Sequence, residues 1–201
     1  ESAALARERG RAEAAGGTRV TEAHSYKTGM AEAMMSHAGG AALDEGRKVI
    51  AVVRILTGII FLFFGEYKIA GPAFAHGGFQ GWVHGLLSAN EPVGFYRVFL
   101  EKFVLVHPVL CARIVGWGEL AIGIALVLGL FVRMASVGGA IHMVSLALAT
   151  WYAPGHGVAT WRYFGANLDH IPLLFLFAIF FTTRAGETWG VDGLWSANAP
   201  Q

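Results

Sequence analysis

Four long apolar runs dominate this chain and leave few folds open to it. They are Val49 to Ile69 (VIAVVRILTGIIFLFFGEYKI), Pro108 to Phe131 (PVLCARIVGWGELAIGIALVLGLF), Met134 to Tyr152 (MASVGGAIHMVSLALATWY) and Ala166 to Thr183 (ANLDHIPLLFLFAIFFTT). Each approaches the ~20 residues that a helix needs to cross a ~30 Å hydrocarbon layer. An open sheet edge cannot exist in lipid, and no ten-residue alternating pattern of a barrel strand occurs, so the runs predict helices. Composition agrees: 55% of residues are hydrophobic and only 14% charged, against roughly 25% charged in soluble domains. Neither a soluble globule nor a disordered chain is built this way. The expected class is all-α, an integral membrane four-helix bundle.

The chain divides into three segments. Residues 1–46 form a polar, Ala/Gly-rich extension, 47–190 carry the four spans, and 191–201 form a C-terminal tail. The extension has no apolar h-region followed by a cleavage pattern, so it does not read as a secretory signal. One reading is a mobile or partner-dependent segment with local helix at MAEAMMSHA. The other is a segment that lies on a neighbouring subunit, with Met30, Met34 and Met35 as adaptable packing groups. Four spans place both termini on one side. That side carries Arg7, Arg9, Arg11, Arg19, Lys27, Arg47, Lys48, Arg133 and Arg184, against Lys68, Arg97, Lys102 and Arg162 opposite. The excess points to cytoplasmic termini.

Between the first two spans, Phe74 to Phe103 predicts short amphipathic helices in the outer interface. Phe79, Trp82 and Leu86 share one helix face, and Phe95, Phe99, Lys102 and Phe103 lie close together on another. Trp151, Trp161, Tyr163, Trp189 and Trp195 fall near span ends, where aromatic rings favour the headgroup layer.

Ionisable residues inside the spans are the candidates for chemistry. Each formal charge at a bilayer centre costs about 2.5–3.5 kcal/mol on insertion scales, so it must be compensated. Counted from the span ends at ~1.5 Å per residue, Glu119 and His142 lie near the midplane and Arg54 about 6 Å to the cytoplasmic side. Small residues flank all three, as on faces packed against other helices. An Arg54–Glu119–His142 network is therefore expected, either as a buried ion pair fixing helix register or as a proton or quinone site. A second cluster, Glu66, Lys68, His107, Arg113, Asn167, Asp169 and His170, lies within about two turns of the outer boundary. It offers donors to a quinone headgroup, or is simply interfacial charge that snorkels.

Other chemistries fit poorly. The single Cys111 leaves no disulfide framework, redox pair or Cys-ligated metal site. A bis-His haem needs two histidines at one depth, whereas His142 is near the middle and His107 and His170 near the outer edge. No clustered ligand set for a metal is present. A net charge of +1 gives no case for nucleic acid, and no two-half repeat supports a transporter.

Three stretches, RILTGIIFLFFGEYK, GELAIGIALVLGLFVRMAS and RAGETWGVD, resemble the DoxX/DoxD family of small four-helix bacterial membrane proteins. The resemblance runs from about Arg47 to Leu194 and rests on Arg54, Gly58, Gly65 and Lys68, then Glu119, Gly129 and Arg133, then Gly186, Trp189, Gly190 and Asp192. It implies a multi-pass protein of the bacterial cytoplasmic membrane associated with redox enzymes, DoxD being a subunit of a thiosulfate:quinone oxidoreductase. The expected role is an accessory subunit of a quinone-linked or electron-transfer complex. It would hold no covalently bound or metal-ligated cofactor, with quinone or lipid as the small molecules in reach. Its partners would be other membrane subunits, met through the extension and helix faces. The alternative is a quinone-reducing subunit of a thiosulfate:quinone oxidoreductase-like enzyme.

Overall fold

A computed structural model of the chain describes residues 2–71, 73–151 and 170–197, with side chains for Met30 and from residue 34 onward within those ranges. No strand occurs among the described residues. The elements are α1 (Ser2–Ala70), a π-helical turn (Phe74–Gly78), α2 (Phe79–Ala89), α3 (Gly94–Phe99), a second π-helical turn (Leu100–Val104), α4 (Pro108–Leu128), α5 (Val132–Ala149), α6 (His170–Thr182) and α7 (Val191–Ala197). Three stretches are long and apolar enough to cross a membrane: Met34–Ala70, Pro108–Leu128 and Val132–Ala149. The fourth run appears as the shorter apolar helix α6. Its first residues, together with Trp161, Tyr163, Asn167 and Asp169, lie outside the described residues.

The chain forms two compact units, Glu1–Gly46 and Arg47–Gln201. The first is helical throughout its described residues, well beyond the local helix expected at MAEAMMSHA. Ala, Glu and Arg are strong helix formers, and they outweigh the scattered glycines. Met30, Met34, Met35 and Leu43 are exposed along it.

The second unit is a bundle of α1, α4, α5 and α6. Lipid is as apolar as leucine, so close backbone approach rather than hydrophobicity holds membrane helices together. Glycines make that approach between α1 and α4. A Cβ on Gly58 would stand 2.9 Å from Leu126, one on Gly65 would stand 2.5 Å from the backbone nitrogen of Leu120, and one on Gly123 would stand 2.7 Å from that of Leu62. Residue numbers rise on one helix as they fall on the other, so the pair is antiparallel. Gly139 of α5 receives the ring of Phe177 from α6, and Phe177 meets Phe61 edge-on at 5.4 Å between centroids. Phe61, Leu126, Val132, Met143, Phe177 and Phe180 form this core.

The α4–α5 turn is tight. Gly129 ends α4 in the left-handed region at φ 65°, a conformation glycine adopts without the penalty of a Cβ. That stop brings the second run to an end at Leu128 rather than Phe131, and α5 begins at Val132, ahead of Met134.

The segment after α1 covers the other end of the bundle. Phe79, Val83, Leu100 and Val104 pack on Cys111 and Ala112 of α4 and Ala149 of α5. The phenylalanine stripe of the sequence is on the opposite side: Phe95, Phe99 and Phe103 point outward, with Phe99 and Phe103 stacked at 5.4 Å. Leu100 and Val104 hold the inward face instead.

Candidate functional site

Glu119 is the centre of the polar interior. It sits on α4 with a side chain only 6% exposed. Lys68, at the last turn of α1, donates to both carboxylate oxygens at 2.5 Å. His142 of α5 places Nε2 2.8 Å from Oε1. One carboxylate thus ties three helices together. The Lys68 ammonium also lies 5.9 Å from the ring centre of Phe64 and 5.6 Å from that of Phe74, within cation–π range.

The register of α1 on α4 explains this choice of cation. Lys68 packs against Gly116, whose added Cβ would meet the Lys68 Cβ at 3.3 Å. The absent side chain lets the ammonium swing across to Glu119, one turn further along α4.

Arg54, grouped with Glu119 and His142 on estimated depth, is held elsewhere. It lies fourteen residues before Lys68 on α1, about 21 Å along the axis. There it is fully buried. Its Nη1 donates to the carbonyl of Ala185 at 2.9 Å and its Nη2 to that of Trp189 at 3.1 Å. Gly129 and Gly190 close against the guanidinium, and a Cβ on either would strike Nη1. Its Nε has no hydrogen-bond partner among the described residues. The depth argument failed because the two helices are offset along their axes: Gly65 lies beside Leu120 and Gly58 beside Leu126, which sets Arg54 opposite Gly129 at the α4–α5 turn. The signal was present in the sequence: Gly58 and Gly65 are seven apart on α1, as Gly116 and Gly123 are on α4.

Asp192 completes the arrangement around Arg54 and was noticed in the sequence only as part of the tail motif. It stands at the start of α7 and accepts from the N–H groups of Phe131 at 2.8 Å and Val132 at 3.0 Å. Its own N–H donates to the carbonyl of Gly129 at 2.9 Å. The first N–H groups of α5, which no turn of that helix can satisfy, are thereby capped from the tail.

The outer cluster is only partly assembled. Lys68 and Arg113 line one small cavity of about 180 Å3, with His76, Trp117, Ile69, Gly71, Ala75 and Ala112. Glu66 is exposed on α1 and lies off that cavity. His107 precedes α4 with its ring 5.5 Å from Phe103. His170 opens α6, and Asn167 and Asp169 are outside the described residues. No group of three metal-ligating side chains forms among the described residues.

A family model described as DoxX matches residues 49–152, just over half of the chain. No curated protein and no solved structure matches it.

Proposed function

The chain belongs to the DoxX family, and on that premise we propose that it is an accessory subunit of a quinone-linked or electron-transfer complex in the bacterial cytoplasmic membrane, holding no redox centre of its own. The observation that carries this reading is the closure of the Glu119 network. A carboxylate that holds helices in register is tied to fixed side chains of its neighbours. Here both oxygens are occupied by side chains of neighbouring helices, so the network acts as a clamp that sets register. The partners are other membrane subunits. The extension meets them through Met30, Met34 and Met35, and both termini lie on the cytoplasmic side, where lysine and arginine are in excess.

The test is gentle solubilisation of the native chain followed by sizing and absorption spectroscopy. The chain should migrate with a flavin-, haem- or iron–sulfur-bearing subunit. A variant lacking residues 1–46 should insert and fold but lose that companion. Migration of the intact native chain alone would overturn the accessory reading. The quinone-reducing alternative would gain from saturable decylubiquinone binding that is lost in Glu119→Gln.

A further inference from the structure

The cavity between the end of α1 and the start of α4 has a composition that the closed Glu119 network does not use. Its lining includes three basic side chains, Lys68, His76 and Arg113, and no carboxylate. Lys68 spends its charge on Glu119. Arg113 and His76 are exposed and form no ion pair with an acidic side chain among the described residues. Arg113 stands five residues into a membrane-crossing helix, about 7.5 Å from its start, on an outward-facing side. A guanidinium at that depth needs an anion or water at the headgroup layer, reached by snorkelling. No described residue supplies that anion, and the site is open to one from the lipid.

Size and surroundings narrow the class. About 180 Å3 is small beside the ~300–1,000 Å3 that enclose a drug-sized organic ligand. Trp117, one turn deeper than Arg113 on the same face of α4, is 59% exposed. It offers an indole where glycerol and upper acyl carbons would pass. Ile69, Ala75 and Ala112 complete an apolar wall below the basic groups.

We propose that this cavity binds the phosphate of an anionic membrane lipid. Arg113 pairs with phosphate oxygens, His76 donates from the π-helical turn, and the third N–H of Lys68 adds a further donor. Trp117 packs along the glycerol and the start of the acyl chains. The chain thus carries a specific headgroup seat at the end of the bundle where α1 stops.

The experiment uses the full chain, purified, stripped of lipid and offered equal amounts of dimyristoylphosphatidylglycerol and dimyristoylphosphatidylcholine, with adducts read by native mass spectrometry. Phosphatidylglycerol should be retained about 5-fold over phosphatidylcholine, the factor expected from one basic residue at an anionic surface. Arg113→Gln should bring the two lipids near parity, and Arg113→Lys should keep most of the preference. Inorganic phosphate at 10-fold excess over lipid should leave phosphatidylglycerol bound. Equal retention of the two lipids by the wild-type chain would overturn the proposal without recourse to any variant. So would an unchanged preference in Arg113→Gln, or displacement by inorganic phosphate, which would mark a free-anion site. Displacement by decylubiquinone would reassign the cavity to a quinone ring.

Discussion

Arg54 and Glu119 illustrate two ways of keeping a charge inside a membrane helix bundle. Arg54 is neutralised mainly by backbone, through the carbonyls of Ala185 and Trp189, with Asp192 close enough to add electrostatic support. Arg54→Ala strands both carbonyls and opens a void, and should lower stability by about 3 kcal/mol in a denaturant titration of the purified protein. Glu119 is neutralised by side chains, which gives a different pattern. Lys68→Met or Glu119→Leu alone leaves a buried group short of its partner and should cost about 3 kcal/mol. The double variant Lys68→Met/Glu119→Leu removes both charges, leaving only the uncharged form of His142 without its partner, and should recover to within about 1–2 kcal/mol of wild type. Double-mutant analysis of the same unfolding titrations measures the coupling. A double variant as weak as the sum of the singles would show that the two residues act separately.

The glycines of the helices divide by what they face. Gly65 touches the backbone of α4, so Gly65→Ala should push α1 away and destabilise the bundle by about 1–3 kcal/mol. Gly85, inside α2, has nothing within 4 Å of an added Cβ, so Gly85→Ala should stabilise by about 0.5–1 kcal/mol. The two shifts in unfolding midpoint should have opposite signs. At this scale the sequence was most informative about what each run becomes. The apolar runs placed the end of α1 and both ends of α4 and α5 to within a few residues, because lipid imposes length and hydropathy together, but not the start of α1 at Ser2. Glu119 and His142 stood out as ionisable groups on small-residue faces, and they do meet. What did not show was which cation joins them. Depth counted from span ends assumes that every run is centred on one plane, and α1 and α4 are offset along their axes. Pairing in an antiparallel contact depends on axial register, set here by glycine positions that a single-helix count ignores. The roles of Asp192 and Trp189 were hidden for another reason: they act across turns, where periodicity carries no information.

For the molecule as a whole, the excess of lysine and arginine beside the termini predicts an orientation. Single cysteines at Ala197 and Ala89, in a Cys111→Ala background, should label from opposite sides of the membrane, with Ala89 reached from outside and Ala197 only after permeabilisation. Equal labelling of both from outside would overturn the topology. The bond between Arg54 and the tail also bears on how the protein is made. Arg54 enters the bilayer with the first helix, whereas Ala185 and Trp189 lie 131 and 135 residues further on. At roughly 5–20 residues per second of synthesis, each new copy holds an unanswered guanidinium for on the order of ten seconds. Until that stretch has emerged, Arg54 lacks both of its acceptors. A chain cut short before Ala185 never gains them, and its first helix keeps a buried charge without these partners. Placing the acceptors after the fourth apolar run lets a later segment of the bundle secure an earlier one.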